Sequence, residues 1–241
     1  FYVLLRFMYG IFGPGFAFQN MPLSIIFLAL ALVAMFAGSV AAIFQDNLKR
    51  MLAYSSIAQI GYMILGISLA SATGLTAAIL HLFNHALIKA ALFLALGCVY
   101  YRFGQVNMEQ MRGLGRSMPW TMAAFVIGGL SLIGVPLTVG FISKWYLVMA
   151  ALEQGWWPVA VAILLASLLA VVYIWRIVEA AYFQAPAENS HIVAREAPLS
   201  MLLPTWALIL ANLYFGIDTR LTITAAAQAA QCLLASCAPP L

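Results

Sequence analysis

The chain has 241 residues, of which 65% are hydrophobic and only 7% charged, with a net charge of +4 and a mean hydropathy of +1.01. A soluble domain carries roughly 25% charged residues, so too little polar surface is present to cover a water-soluble particle. The few basic residues form no run with interleaved aromatics, which excludes a nucleic-acid binder. An all-α, polytopic integral membrane protein, in contact with the lipid bilayer, is the class that remains.

Residues 1–9 read as the tail of a helix already under way, stopped by Gly10, Gly13, Pro14 and Gly15. The chain begins FYVLLRF without an initiator Met, and no basic segment with a small-residue cleavage site follows. No signal peptide is read, and truncation at the N-terminus is expected. A spanning helix needs about 20 mostly apolar residues. That ruler predicts spans at 23–44, 52–70, 75–101, 119–151, 157–183 and 199–216. The expected fold is a bundle of about six transmembrane helices plus the partial N-terminal one. Residues 1–216 form the transmembrane domain, and 217–241 form an Ala- and Gln-rich, amphipathic C-terminal tail.

The loops support these spans. Lys49 and Arg50 lie in 45–51, Arg102, Arg112 and Arg116 in 102–118, and Arg195 in 184–198, whereas 10–22, 71–74 and 152–156 contain no Lys or Arg. This alternation places the three basic loops on the cytoplasmic side. The segment 119–151 is too long for one straight span, since its 33 residues would rise ~50 Å against a hydrocarbon core of ~30 Å. Its middle reads GVPLTVGF, where Pro136 removes a backbone donor and Gly134 and Gly140 relax the chain. A broken helix is predicted there, and irregular backbone at membrane depth needs protein or water to receive its polar groups.

Ionisable residues inside spans are functional by default. Arg6 and Arg176 lie near helix ends, where they can snorkel, and Arg176 has Glu179 three residues on as a partner. Lys89 and Lys144 have no acidic neighbour at helical spacing. Taking an amine out of water disfavours its charged form, so such lysines can give up and regain a proton. His81, His85 and Lys89 step by four along HLFNHALIKAALF, placing all three on one helical stripe. Imidazole exchanges protons through either nitrogen, so the stripe reads as a proton wire with waters between its members. Asn84, Tyr54, Ser55 and Ser56 are candidates to hold that water. Two other readings stand beside this one: polar glue between helices and a metal pair at i and i+4. No Cys or carboxylate joins the histidines, and a lysine on the same stripe repels a cation, so no metal is expected; haem ligation fares no better. Cys98, Cys232 and Cys237 show neither metal nor redox spacing and read as apolar fillers. No P-loop, dinucleotide fingerprint or hydrolase nucleophile motif is present, so no cofactor and no catalytic apparatus are expected.

Four ordered stretches carry a resemblance: QDNLKRMLAYSSIAQIGYMILG (45–66), HLFNHALIKAALF (81–93), MRGLGRSMPW (111–120) and GVPLTVGFISKWYL (134–147). Together they resemble the antiporter-like proton-translocating subunits shared by respiratory complex I and the Mrp-type multisubunit Na+/H+ antiporters. GFISKWYLVMAALEQGWW and VVYIWRIVEAAYF are most similar to the D-type Mrp subunit. The resemblance implies the second of two inverted repeats, each with one broken helix. It implies that His81, His85 and Lys89 match a central proton relay, that Lys144 matches the lysine of the broken helix feeding a proton exit, and that Lys49 lies outside the relay. The Glu–Lys pair of the first repeat lies upstream of Phe1, and many relatives have a second proline where Leu137 stands. Implied partners are the other subunits of a hetero-oligomeric complex in the bacterial inner membrane, with H+ moved by this chain and Na+ by the complex. The alternative is a proton-pumping membrane-arm subunit of an NADH:quinone oxidoreductase. A purely structural scaffold is the third reading, though scaffolding needs no buried lysine.

Overall fold

The computed structural model describes residues 1–185 and 195–235; Cys237 and the remainder of loop 184–198 and of the tail lie outside the described residues. Among the described residues the regular structure is helical, and the only β-type pairing is an isolated bridge between Asn47 and Asn107. A short helix α1 (Tyr2–Leu5) runs into a π-helical turn (Arg6–Ile11), and Gly13 at φ +78° ends it. A second π-helical turn (Phe16–Asn20) leads into α2 (Leu23–Ile43) and α3 (Leu48–Ser68). Next come the long α4 (Ala72–Phe103) and the short α5 (Met108–Met111) and α6 (Leu114–Ser117). The remaining helices are α7 (Pro119–Ile133), α8 (Val139–Glu153), α9 (Trp157–Phe183), α10 (Leu199–Ile217) and α11 (Arg220–Leu234).

Among the described residues five helices, α2, α3, α4, α9 and α10, are long and apolar enough to cross a membrane alone. The sixth predicted span is the pair α7 and α8, each of 15 residues, or ~22 Å of rise, so only together can they cross. The chain is a polytopic, all-α membrane protein. Its outer surface agrees with a lipid setting: Leu30, Leu164, Leu168, Trp175 and Leu210 are each more than half exposed, while small or polar residues are turned inward. Two starts come earlier than the apolar pattern predicts, because a cap recruits residues outside it. The Asn47 side chain accepts from the amides of Lys49 and Arg50 at 3.0 and 3.2 Å, and Ser71 Oγ accepts from Gly74 N at 3.0 Å.

Helix α4 is the axis on which α3, α7, α8, α10 and α11 all pack. The tail helix α11 buries Ala226 and Ala230, the latter among Leu5, Tyr9, Ile67, Leu75 and Ala78. The basic loops meet at one end of the bundle. Leu48 N donates to Val106 O and Met108 N to Asp46 O, joining 45–51 to 102–118. Gly113 N donates to Ala180 O, which draws in the end of α9. Arg102 donates to Glu196 O, and the Glu196 carboxylate caps α7 by accepting from Trp120 N at 2.6 Å and Thr121 Oγ1 at 2.8 Å. One membrane face therefore carries all three basic loops, as the charge pattern requires. The ion pair of Arg176 differs from the sequence reading. Its partner is Asp46, at 3.5 Å, not Glu179, because loop 45–51 folds under the end of α9.

The break between α7 and α8 is a tight irregular turn. Gly134 sits at φ +96°, Pro136 within the turn, and Leu137 at φ +74°. A left-handed conformation costs a side-chain-bearing residue about 1–2 kcal/mol. The second proline that the resemblance places here cannot adopt that angle, since its ring fixes φ near about −65°; this chain turns the corner its own way. Leu137→Gly is expected to raise the unfolding midpoint of the full-length protein in detergent, by about 1 kcal/mol of stability. Leu137→Pro is expected to lower it.

Candidate functional site

Four buried or half-buried basic groups lie between α3, α4, α8 and the break. Lys144 comes from the second turn of α8 and points back at α7. Its Nζ donates to Leu132 O at 2.9 Å and Ile133 O at 2.8 Å. These are among the carbonyls that a helix C-terminus leaves without amide partners, and the helix dipole favours a cation there. The broken helix thus builds its own amine site. The approach that allows this is close: a Cβ on Gly140 would lie 1.8 Å from Ser131 O. Only glycine fits, and α8 can therefore run against the last turn of α7. Asn84 Nδ2 fastens α4 to the same place by donating to Val139 O at 2.7 Å.

His81 is buried beside this corner. Its Nδ1 lies 2.8 Å from Ser143 Oγ and its Nε2 3.1 Å from Gln59 Oε1. An amide oxygen can only accept, which puts a ring proton on Nε2; in the neutral ring Nδ1 then accepts from Ser143, and in the charged ring it donates to Ser143, whose hydroxyl can turn to Gly140 O at 3.4 Å. The Tyr62 ring bridges the two basic groups: its centroid is 5.6 Å from that of His81 and 5.0 Å from Lys144 Nζ. One turn along α4, the half-buried His85 stacks on His81 with centroids 6.5 Å apart. That is too far for a direct hydrogen bond, and His85 Nε2 is buried with no partner among the described residues.

Lys89 completes the row. Its position in α4 predicts a central depth, yet its amine reaches Leu52 O at 2.7 Å and Ser55 Oγ. Both belong to the first two turns of α3, ~6–10 Å of helix rise from the basic-loop end. Leu52 O also receives Ser55 Oγ and Ser56 Oγ, each at 3.0 Å. A carbonyl has two lone pairs, so these donors compete and the ammonium is not locked. Ser55 holds Lys89 directly, whereas Ser56 bonds only its own helix and Tyr54 turns outward, 38% exposed. Asn84 is occupied at the break through Nδ2, and its Oδ1 alone is unpartnered. Lys49 sits over the Tyr100 ring at 3.7 Å, exposed at the basic end and away from the row.

Sequence reasoning missed Gln59, Ser143 and Tyr62, the residues that hold His81 and Lys144. A polar residue inside a span carries a weak signal, and only Ser143, one place before Lys144, offered one. Read along the bundle, the order is Lys89, His85, His81, Lys144. No carboxylate bonds to any of the four among the described residues. Two amines and two imidazoles without a counter-ion make simultaneous full protonation costly. Such a row suits the passage of single protons.

The transmembrane family model for "NADH:quinone oxidoreductase/Mrp antiporter" matches residues 1–170. "NADH-quinone oxidoreductase subunit N" of Desulforudis audaxviator is 39% identical over 199 residues, covering 78% of this chain and 40% of that protein. The Mrp complex from Dietzia sp. contains a chain with a TM-score of 0.88 and 25% identity, covering 97% of this chain and 50% of that one. A chain of the membrane-bound sulfane sulfur reductase, an archaeal respiratory complex, has a TM-score of 0.80 and 31% identity over 88% of this chain and 43% of that one. The chain spans about half or less of the length of each of these relatives. Its four-motif order, its broken helix and these matches agree: the chain belongs to the antiporter-like transmembrane family of NADH:quinone oxidoreductases and Mrp antiporters.

Proposed function

We propose that residues 1–216 form a proton-translocating half of an antiporter-like subunit in the membrane arm of a redox-driven NADH:quinone oxidoreductase of the bacterial inner membrane. The observation that carries the reading is the row Lys89–His85–His81–Lys144, buried except for the half-buried His85 and without a counter-ion among the described residues. The choice of a redox-driven complex rests on the 39% identity to a relative named for NADH-quinone oxidoreductase. Lys89 exchanges protons at the cytoplasmic end. His85 and His81 carry them to the break. Protonated Lys144 is stabilised by Leu132 O and Ile133 O and, once neutral, is held less firmly. His81 can pass a proton only by exchanging its Nε2–H bond to Gln59 or its Nδ1 bond to Ser143, so these two residues time its step. The chain supplies no cofactor. Energy and coupling come from neighbouring subunits, and the tail helix α11 packs against α4.

A second reading, the D-type component of a multisubunit Na+/H+ antiporter, is favoured by the likeness to the Mrp complex over 97% of the chain. One experiment separates the two. Lys89→Ala is made in the full-length protein in its native membrane, and proton movement is followed in inside-out vesicles energised by NADH or by a Na+ gradient. Loss of NADH-driven pumping, with no Na+-driven exchange in the parent protein, is expected. Na+-driven exchange in the parent that Lys89→Ala removes would establish the antiporter. Unchanged movement under both drives would remove Lys89 from the path.

A further inference from the structure

Helix α10 carries a polar residue that the relay does not use. Asn212 is fully buried in this spanning helix, where a carboxamide has to find its partners inside the protein. Its Oδ1 accepts from Ser131 Oγ at 2.8 Å. Its Nδ2 is buried with no partner among the described residues, a cost that the oxygen's single bond has to offset. Four residues on, Gly216 lies on the same face of α10. A Cβ there would lie 2.5 Å from Leu137 O and 2.7 Å from Thr138 Cα, so the backbone of α10 is seated against the turn between α7 and α8.

The start of α8 gives this contact a purpose. Thr138, its N-cap residue, donates its hydroxyl to Val135 O at 2.6 Å and supplies no side-chain cap. The amide of Gly140, one of the first four of α8 and hence without an acceptor in its own helix, turns to Ser131 Oγ at 3.4 Å. Other buried hydroxyls in the bundle bond a carbonyl of their own helix one turn back: Ser55 to Leu52 O, Ser68 to Leu65 O and Thr205 to Met201 O. Ser131 sends its proton across to Asn212 instead, which leaves its oxygen lone pairs for Gly140. Ser131 O is also the backbone atom against which Gly140 packs, and the next two residues, Leu132 and Ile133, hold the Lys144 amine. The chain Asn212–Ser131–Gly140 therefore ties α7 to α8 at the point that sets how closely Lys144 approaches its carbonyls.

We propose that Asn212 is a positioning residue for Lys144, acting through the Ser131 hydroxyl, and that α10 is the strut that holds the break closed around the amine. The proposal rests on the relay reading above. Asn212 makes no hydrogen bond to any member of the basic row among the described residues, so its effect passes through the two ends of the broken helix. Without this acceptor the Ser131 hydroxyl turns back to its own helix, the Gly140 amide loses its cap, and α8 can draw Lys144 away from Leu132 O and Ile133 O. Those carbonyls favour the protonated amine, so flux through a looser break needs a higher proton concentration. Gly216 lets α10 come near enough for Asn212 to reach Ser131.

The test compares Asn212→Leu, which keeps the side-chain shape and removes the acceptor, with Ser131→Ala and the double variant, in the full-length protein within its complex. Proton flux per assembled complex, followed in inside-out vesicles, is expected to fall about tenfold to a hundredfold in each, as for a displacement of ~1 Å at a reacting group. The pH of half-maximal flux should move to lower pH by the same amount in both single variants, and the double variant should lose no more than either. A purely structural role lowers the number of assembled complexes and leaves this profile in place. Lys144→Ala serves as the reference in the same assay. Parental flux or a parental pH profile in Asn212→Leu, with Lys144→Ala inactive, would overturn the positioning role and leave the relay standing, and so would losses that add in the double variant. Parental flux in all four variants would remove the relay and the strut together. If Asn212→Leu fails to assemble, Ser131→Ala decides: a shifted profile upholds the role, and an unchanged one overturns it.

Discussion

Lys144→Ala is expected to abolish proton flux through the full-length protein while leaving the bundle assembled. The loss of flux should be about 10²–10⁴-fold, the range for removing a positioned proton-transfer group. The stability change should be small because two effects oppose. Removing the amine leaves Leu132 O and Ile133 O without their side-chain donor, at about 1–3 kcal/mol for each unsatisfied group. It also removes a basic group whose placement in the membrane interior costs about 3 kcal/mol on insertion scales. Lys144→Met separates the two contributions: it fills the space, carries no proton, and should match the Ala variant in flux and the parent in thermal midpoint. Flux measured by an internal pH dye, with the midpoint in detergent, checks both.

Gly140→Ala is expected to have the largest structural effect. The added Cβ would lie 1.8 Å from Ser131 O, and the obstacle is backbone, so no side-chain rotation relieves it. Ordinary overpacking costs about 1–3 kcal/mol; here α8 has to leave α7, and a cost of about 3 kcal/mol or more is expected. The displacement would also carry Ser143 away from His81 and Lys144 away from its carbonyls, since all three lie within one turn of α8. Low membrane levels and loss of flux should appear together, whereas Gly134→Ala should cost only the ~1–2 kcal/mol of a left-handed residue.

The six spans, the location of the break and the grouping of the basic loops at one end were legible because each rests on a local property of the chain. Apolar run length fixes a span, Pro136 with its flanking glycines fixes a break, and Lys and Arg counts fix a side. The stripe of His81, His85 and Lys89 follows from helical geometry alone. What could not be read is where side chains end. Lys89 is central by residue number, but its long stem delivers the amine to the first turns of α3. Arg176 takes Asp46, 130 residues away in sequence, over its near neighbour Glu179. Gln59 carries no signal in a single sequence and Ser143 only its place beside Lys144, since their value lies in facing one imidazole from two helices. The lean toward a D-type Mrp component rested on short aromatic stretches of α8 and α9. Of those stretches the tryptophans Trp145, Trp157 and Trp175 face outward, each more than half exposed, and these report on lipid or neighbouring subunits more than on the proton path.

The central claim is that protons move through the buried basic row of this chain. Its most direct test is proton flux into proteoliposomes containing the complete complex, with the parent, Lys89→Ala and Lys89→Ala/Lys144→Ala proteins compared at equal protein content and equal leak. The relay predicts that the double variant loses the share of flux carried by this chain and that Lys89→Ala alone loses the same share, because the two amines act in series. Full parental flux in the double variant, with the complex intact, would contradict it.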